Sequence, residues 1–315
     1  MRKGRILKLI GGWYTLEDFQ TKETFNAKAS GKLRYVRLEE DSSFLKQVTK
    51  KTKKEVTITQ LSPKVGDIVY YDDNDINKPI QEILPRTNEL NRPDIANVDQ
   101  ILLIFSTVEP DFNFNLLDQF LVLVEKANVK PIIVISKIDL LNDEELLDFK
   151  TKLNYYKKIG YQVYFINSHQ KIGFDVLETI FSEKVSVVAG QTGVGKSTLI
   201  NALLPDLHLR TQTISKALGR GKHTTRHTEL FYYRGGLIAD TPGFSKLELN
   251  IFEKEELKEY FIEFNNFSDE CKFKNKCNHL HEPGCNIKDN KEILNSRVEN
   301  YQKMFLEIEN LKEKY

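Results

Sequence analysis

Residues 185–198 read VSVVAGQTGVGKST, an apolar run that leads into a glycine-rich turn. The turn, Gly190–Ser197, fits the pattern G-x-x-x-x-G-K-[ST] and stands between a predicted strand, Val185–Ala189, and a predicted helix, Thr198–Leu204. Glycines allow the backbone to curl so that its N–H groups point inwards, and the helix adds its positive end to the same anion site. This stretch therefore predicts a P-loop for the phosphates of a nucleoside triphosphate.

Two side chains of the predicted P-loop carry specific roles. Lys196 is expected to reach the β- and γ-phosphates and to take part in catalysis, and the Ser197 hydroxyl is expected to ligate Mg²⁺. The full set of expected phosphate-binding residues is Gly190, Gln191, Thr192, Gly193, Val194, Gly195, Lys196, Ser197 and Thr198.

Downstream, the apolar segment Leu237–Gly243 ends in the motif D-x-x-G. Asp240 is expected to hold Mg²⁺ through water, and the Gly243 N–H is expected to contact the γ-phosphate. Between the two motifs, Arg220–Arg226 supplies hydroxyls, among them Thr225, that would close onto Mg²⁺ only when a γ-phosphate is present, as a GTPase switch loop does. A basic surface loop is the alternative interpretation of this segment.

Upstream of the P-loop, Ser136–Asp139 reads SKID and follows the apolar strand Pro131–Ile135. It resembles the guanine-reading element N-K-x-D, whose aspartate accepts hydrogen bonds from the two donors on the guanine edge. Adenine lacks that pair of donors, so the Asp139 carboxylate would reject ATP. Lys137 matches the motif, whereas Ser136 replaces the usual Asn, which removes one amide from the expected base-binding set.

A second base-supporting element is predicted at Asn167–His169, with Ser168 as the expected ligand, just after the strand Tyr161–Ile166. Both base-reading elements precede the P-loop, whereas ordinary GTPases have the P-loop first. The order therefore predicts a circularly permuted domain, which can keep its core because joining nearby termini and opening a surface loop preserves the packing. Strands alternating with helices over residues 100–189 also predict a parallel sheet.

Every cysteine of the chain lies within residues 271–285. Soft thiolates plus an imidazole at short spacing, in a reducing compartment, suit a tetrahedral structural Zn²⁺. A closed set of four ligands argues against a catalytic zinc, which keeps one position open. Unligated thiols in a small helical module are the alternative. The expected ligands are Cys271, Cys277, His279 and Cys285, with His281 left as a spare group.

The first 75 residues are rich in β-branched and aromatic residues separated by turns. Five short strands in so little chain predict a small barrel, and barrels of this size are often oligonucleotide-binding (OB) folds. The lysine-rich connection Lys46–Lys54 is either a soluble loop or one that touches phosphates. Three prolines indicate a linker over residues 76–95. The predicted strands are Arg5–Ile10, Trp13–Leu16, Leu33–Arg37, Val56–Gln60 and Asp67–Tyr71.

Composition limits the remaining possibilities. The chain has 315 residues, 40% hydrophobic and 29% charged, which excludes a wholly disordered protein. The net charge of +1 excludes a polycation, although residues 1–60 carry 14 basic against 7 acidic side chains, a surplus of +7. No run approaches the ~20 apolar residues of a membrane span, and Lys8 interrupts any signal-peptide core. We therefore expect a cytoplasmic protein that contacts no membrane.

Together, the predicted barrel, the permuted GTPase elements and the C-x5-C-x-H-x5-C segment resemble one family over essentially the whole chain. It is the bacterial small ribosomal subunit biogenesis GTPase RsgA family. The resemblance implies a multi-domain α/β protein with an N-terminal OB-fold barrel, a central circularly permuted P-loop GTPase domain and a C-terminal helical zinc-binding domain. It further implies hydrolysis of GTP to GDP in late assembly of the small (30S) ribosomal subunit, contact with its 16S rRNA, and turnover that this subunit stimulates.

The catalytic set is predicted from two positions near the motifs. Many GTPases place a water-orienting Gln directly after D-x-x-G, but this chain has Phe244, which cannot accept a hydrogen bond from the attacking water. Slow intrinsic turnover is therefore expected, with the missing group supplied on docking. His223 is the candidate to orient the water, as the resemblance also suggests; packing or RNA contact is its alternative role. The catalytic set is His223, Lys196 and Thr225, and the Mg²⁺ set is Ser197, Thr225 and Asp240.

Two other functions fit parts of the sequence. An RNA-binding module with a vestigial nucleotide site is opposed by intact Lys196, Ser197 and Asp240, and a P-loop ATPase is disfavoured by Asp139. We expect a monomer. The expected division of the chain is 1–75 (barrel), 76–95 (linker), 96–248 (GTPase domain) and 249–315 (zinc-binding domain).

Overall fold

The computed structural model of the protein describes residues 1–34, 36–37, 58–59, 62–91, 93–205, 228–240 and 251–312. Its N-terminal third contains nine strands among the described residues. They are β1 (Arg2–Ile10), β2 (Trp13–Asp18), β3 (Thr24–Ala27), β4 (Val36–Arg37), β5 (Ile58–Thr59), β6 (Ile68–Tyr71), β7 (Ile80–Ile83), β8 (Glu89–Asn91) and β9 (Asp94–Ala96).

Five of these strands close into a small barrel. β1 pairs with β2 on one side and with β6 on the other, β2 pairs with β3, and β6 pairs with β7. A parallel bridge between Ala29 and Ile80 joins the end of β3 to β7 and completes the ring. Ile6, Leu16 and Ile80 point into it and are completely buried. The expected small barrel is therefore present.

The strands that build the barrel differ in part from those expected. The predicted strand Leu33–Arg37 is divided between a 3₁₀ turn, Gly31–Arg34, and the two-residue strand β4, and β3 was missed. β7 lies inside residues 76–95, the expected linker, where it pairs with β6. Pro79 and Pro85 flank β7 instead of interrupting it, so its amides remain available for pairing. The lysine-rich connection Lys46–Lys54 lies outside the described residues.

A mostly parallel sheet forms the centre of the molecule. Its described strands run in the order β12-β11-β10-β13-β15, all parallel, and β14 pairs with β15 in the antiparallel sense. β14 also pairs with β1 of the barrel, where Lys8 Nζ lies 2.6 Å from Glu229 Oε2. The bounds are β10 (Gln100–Ser106), β11 (Lys130–Ser136), β12 (Gln162–Phe165), β13 (Val185–Ala189), β14 (Glu229–Tyr233) and β15 (Gly236–Asp240).

Helices cover both faces of this sheet, as a parallel sheet requires. Successive side chains of a strand point to opposite faces, so alternate residues of β10 belong to different cores. Leu103 packs in the core shared by the first two helices of the sheet layer, and Leu102 packs in the core shared by the next two. The helices are α1 (Phe114–Lys126), α2 (Asp143–Lys158), α3 (Phe174–Leu177) and α4 (Lys196–Leu203).

The C-terminal part consists of short 3₁₀ turns and one long helix, α5 (Asn295–Lys312). Its own aromatic core contains Phe252, Phe261, Phe264 and Tyr301, all completely buried. Val122 of α1 joins this core, so the C-terminal part packs directly on the helix layer that covers the central sheet. No helix among the described residues is long and apolar enough to cross a membrane.

Candidate functional site

The glycine-rich turn lies at the carboxyl end of β13, between β10 and β15. Gly190, Gly193 and Gly195 have φ values of 141°, 89° and 95°, a region that L side chains avoid. A Cβ on Gly190 would stand 2.2 Å from the Ile104 carbonyl oxygen of the neighbouring strand. The backbone therefore has room for this curve only with glycine, and the geometry is that of the predicted P-loop.

The start of α4 places the predicted phosphate-binding side chains at the mouth of the turn. Lys196 is the first residue of α4, and its Nζ lies 2.7 Å from the Gly190 carbonyl oxygen, across the P-loop. Ser197 is exposed in the same first helical turn. A lysine across the loop and a hydroxyl at the helix N-terminus fit a bound triphosphate and its Mg²⁺.

The structure joins the P-loop to the base-reading segment. Ser136, the last residue of β11, is only 3% exposed. Its hydroxyl donates a 2.6 Å hydrogen bond to the carbonyl oxygen of Val194, and it also lies 3.2 Å from the Phe105 carbonyl oxygen. The sequence placed Ser136 against the base, whereas here its side chain faces the P-loop. The serine thus connects the two predicted halves of the nucleotide site.

Lys137 and Asp139 follow at the same edge of the sheet. Lys137 has a φ of 56° and begins the 3₁₀ turn Ile138–Leu140, which carries Asp139 with its carboxylate exposed. The Lys137 carbonyl accepts a 2.8 Å hydrogen bond from the Thr107 hydroxyl. Asp139 therefore stands on an anchored turn beside the P-loop, open to a ligand.

Within the second predicted base-supporting element, Asn167 fixes the backbone around Ser168. Ser168 lies half-buried in the loop after β12, at the same carboxyl edge of the sheet. The buried Asn167 side chain accepts hydrogen bonds from the amides of His169 and Gln170, at 2.9 and 3.1 Å, and so fixes this loop. Asn side chains often accept hydrogen bonds from backbone amides two or three residues later and so stabilise turns. An Asn directly after a predicted strand is therefore the sequence signal for this turn.

The remaining predicted nucleotide ligands are described in part. Asp240 ends β15 in register with Val188, so its backbone lies beside the start of the P-loop. The Asp240 side chain lies outside the described residues, as do His223, Thr225 and Gly243 entirely. Their predicted roles stay predictions.

One segment of the site was not anticipated from the sequence: the loop Thr107–Asn113, between β10 and α1. The Pro110 Cδ lies 3.5 Å from where a Cβ on Gly193 would stand. The Lys137 ammonium donates to the Glu109 carbonyl oxygen, and the Ser106 hydroxyl donates to the Pro110 carbonyl oxygen. This loop forms a wall of the P-loop and of the base-reading turn, and it carries no motif that sequence alone reveals.

The four predicted zinc ligands converge in the C-terminal part. The ligand atoms of Cys271, Cys277, His279 and Cys285 all lie within 4.8 Å of one another, and all four residues are buried. His279 Nδ1 is 3.7 Å from Cys271 Sγ and 3.5 Å from Cys285 Sγ. A tetrahedral zinc with bonds of about 2.3 Å to sulfur and 2.0 Å to nitrogen spaces its ligand atoms ~3.5–3.8 Å apart. The donor set fits Zn²⁺.

The electrostatics and the supporting hydrogen bonds agree with this fit. Burial lowers the pKa of His279 to about 4, which favours the neutral imidazole that binds metals. Burial raises the pKa of Cys277 to about 12, so thiolates here require a compensating cation. The backbone amide of Asn286 donates a hydrogen bond to Cys271 Sγ at 3.2 Å. The Glu282 carboxylate accepts a 2.7 Å hydrogen bond from the backbone amide of Asn278, between two of the predicted ligands. His281 is exposed, as expected for a spare group.

A P-loop at the carboxyl edge of a parallel sheet, with a base-reading turn held against it from an earlier strand, defines a circularly permuted P-loop GTPase. A family model described as RsgA GTPase matches residues 83–250. The small ribosomal subunit biogenesis GTPase RsgA of Onion yellows phytoplasma (strain OY-M) is 45% identical over 314 residues, which cover 98% of this chain and 99% of that protein.

Solved structures agree over nearly the whole length. YloQ, described as a circularly permuted GTPase, superimposes with a TM-score of 0.78 at 36% identity and covers 99% of this chain and 96% of its own. YjeQ from Thermotoga maritima gives a TM-score of 0.77 at 33% identity, with 98% of each chain covered. The chain belongs to the RsgA GTPase family and is a GTP hydrolase. The predicted family, the permuted fold and the GTPase activity are confirmed.

Proposed function

We propose that this chain hydrolyses GTP during maturation of the small (30S) ribosomal subunit, with turnover stimulated by that subunit. The observation that carries the nucleotide part is the 2.6 Å hydrogen bond between Ser136 and Val194, because it unites the base-reading segment and the P-loop in one site. The relatives' names, which specify small-subunit biogenesis, support the cellular role.

In this proposal the phosphates lie on the backbone amides of Gly190–Thr198, with Lys196 reaching the β- and γ-phosphates. Asp139 accepts the hydrogen bonds of the guanine edge, and Ser168 supports the base. Ser197, Asp240 and Thr225 hold Mg²⁺, with the Gly243 amide on the γ-phosphate. When bound, Mg²⁺ neutralises charge that develops between the β- and γ-phosphate oxygens.

His223 is proposed to orient the attacking water, because Phe244 offers no hydrogen-bond acceptor at the usual position. Intrinsic hydrolysis is then slow, and docking on the subunit positions the switch segments. Steady-state GTP turnover of His223→Ala, with and without small subunits, tests the role. Loss of the stimulated rate with normal GDP binding is expected, whereas unchanged stimulation would eliminate His223 from the reaction.

Contact with 16S rRNA is proposed for the barrel. Trp13 is 47% exposed at the start of β2, and Lys28 Nζ lies 4.3 Å from the centroid of its ring. An exposed aromatic ring with a nearby cation suits a stacked base and its phosphate, and the β2–β3 region is where OB folds bind oligonucleotides. The zinc site is proposed to be structural, with Zn²⁺ holding the turns of the C-terminal part together. We propose a monomeric, cytoplasmic protein.

The decisive experiment measures GTP hydrolysis by the full-length protein titrated with purified small or large ribosomal subunits. Selective stimulation by the small subunit is expected, and Lys196→Ala serves as the control that removes phosphate binding. Equal stimulation by both subunits, or none, would contradict the proposed partner. Stimulated hydrolysis of ATP as fast as GTP would favour a P-loop ATPase, and RNA binding without GTP binding would favour a vestigial site; no observation on the described residues favours either.

A further inference from the structure

A cluster of charged side chains is completely buried between α1 and the C-terminal part, away from the nucleotide ligands. Arg297 of α5 and Asp118 of α1 are both 0% exposed, and Arg297 NH1 lies 2.7 Å from Asp118 Oδ1. The same guanidinium holds Glu263 with two hydrogen bonds, of 2.7 and 2.8 Å. Taking three charges out of water is costly, so the cluster stabilises the fold only if every member is paired.

The pairing around Asp118 is complete. Its Oδ1 also accepts a 2.7 Å hydrogen bond from the Tyr156 hydroxyl, and its Oδ2 accepts one of 2.7 Å from Asn300. The Arg297 guanidinium lies over the ring of Phe261, 4.5 Å from its centroid. Such a network has one well-satisfied arrangement and specifies how the two parts of the chain meet.

Asp118 lies on a stripe of α1 that faces the C-terminal part along its length. Val122, one turn later, joins the aromatic core of that part. Lys126, a further turn on, forms an ion pair with Glu256, and its Nζ lies 5.0 Å from the centroid of the Phe252 ring. Residues spaced by four share one helix face. The opposite face of α1 packs on the central sheet, so the helix is held from both sides.

The N-terminus of α1 continues directly from the loop Thr107–Asn113 that walls the nucleotide site. Asn113 caps the helix by accepting the Leu116 amide at 3.1 Å, only five residues before Asp118. Thr107 donates to the Lys137 carbonyl at 2.8 Å, and Pro110 lies against Gly193. A shift of α1 along or about its axis therefore moves the wall of both the base-reading turn and the P-loop.

We propose that Arg297 is a positioning residue for the guanine-nucleotide site: by holding Asp118 it fixes α1, and through α1 the loop that lines the P-loop and Lys137. The C-terminal part thereby sets the affinity for the nucleotide without touching it. Because binding linkage is reciprocal, a bound guanine nucleotide also strengthens the docking of the C-terminal part. The inference rests on the proposed GTPase site and specifies how that site is regulated.

Two matched variants separate this coupling from a merely structural role. Asp118→Asn weakens the bond between Arg297 and α1 but leaves the buried Arg297–Glu263 pair intact. Glu263→Gln makes the same chemical change to the other carboxylate, within the C-terminal part only, and leaves the Arg297–Asp118 pair intact. Each variant removes one negative charge from the cluster, and comparison of their melting temperatures shows how far each change affects folding.

Equilibrium binding of fluorescent GDP to the zinc-loaded full-length protein is measured for both variants, with circular dichroism melting as the check on folding. We expect Asp118→Asn to raise the GDP Kd about fivefold to tenfold, and Glu263→Gln to leave it within twofold. The single-turnover rate of Asp118→Asn at saturating GTP is expected to match that of the wild type, because the reacting groups are unchanged.

Arg297→Lys, alone and with Asp118→Asn, completes the test. A double-mutant cycle in which the second change adds almost nothing to the GDP Kd supports action through this one bond. Additive effects, equal effects of Asp118→Asn and Glu263→Gln, or an unchanged Kd in Asp118→Asn would overturn the inference. A wild-type protein that fails to bind GDP would instead refute the proposed function, so the two failures are distinguishable.

Discussion

Replacing Ser136 by alanine removes one hydroxyl from the junction between the base-reading turn and the P-loop. The hydroxyl is buried and donates to the Val194 carbonyl at 2.6 Å. Without it, the backbone at Val194 and the turn that carries Asp139 are no longer held in one arrangement. The nucleotide must then impose that order itself, so we expect weaker binding of GDP and GTP with the base preference unchanged.

The size of the effect follows from the geometry of that bond. A net hydrogen bond contributes ~0.5–1.5 kcal/mol, and a buried group that loses its partner costs about 1–3 kcal/mol. The P-loop opens to solvent on its ligand side, where Ser197 is exposed, so water relieves part of the cost. We therefore expect a loss of about 1–1.4 kcal/mol, which is a rise in the GDP Kd of about fivefold to tenfold.

Titration calorimetry with GDP measures the effect directly. Ser136→Thr keeps the donor and is expected to retain most of the affinity. Ser186→Ala is the matched control: Ser186 is equally buried, on β13, and accepts a 2.9 Å hydrogen bond from Gln100, but it lies near the amino end of the strand. If Ser136→Ala loses thermal stability as Ser186→Ala does and binds GDP normally, the reasoning is refuted.

Three further predictions use other parts of the chain. Asp139→Asn is expected to shift the nucleotide preference from GTP towards XTP, because the new amide can donate a hydrogen bond to the oxygen that xanthine presents at this edge. Competition binding of the two nucleotides checks the shift. A variant that does not discriminate between the bases would contradict the proposed role of Asp139 in reading guanine. Cys277→Ser is expected to lower the zinc content measured by a colorimetric chelator and to reduce the melting temperature, while an unchanged metal content would exclude Cys277 as a ligand. The third prediction concerns Asp18. Burial by itself would raise the pKa of its carboxyl, but hydrogen bonds from Tyr71 and two backbone amides lower that pKa below its usual value. The ionised Asp18 therefore stabilises the fold above the unfolded-state pKa of about 3.9, and this stabilisation is lost as the pH falls through the lowered pKa of the folded state. Asp18→Asn is expected to lose urea resistance less steeply in acid than the wild type. Equal slopes for the two proteins would contradict the prediction.

The nucleotide and zinc motifs could be found without coordinates because their chemistry imposes local spacing. A P-loop needs glycines and a lysine at fixed positions between a strand and a helix, and the turn Gly190–Ser197 has this arrangement. Zinc needs soft donors close together, and the segment Cys271–Cys285 supplies them. The permuted order is also a property of the sequence, because it depends only on which motif comes first.

The barrel shows where local signals fall short. Strand β7 is only four residues long and lies between Pro79 and Pro85, so the sequence favoured a linker. The strand forms because Ile80 fills the barrel interior and its backbone closes the ring against residues near Ala29. Ring closure joins positions about fifty apart in the chain, and no window of sequence contains both partners.

The amino-acid order alone predicts the chemistry of this protein, because each motif brings its expected phosphate, guanine or zinc ligands within a few positions. How these sites are connected became visible only in the folded chain. Ser136 meets the P-loop 58 positions away, and Asp118 meets Arg297 across 179 positions. Such contacts are made when separate elements pack around shared cores, where burial of apolar faces fixes the geometry and polar partners are then chosen by proximity.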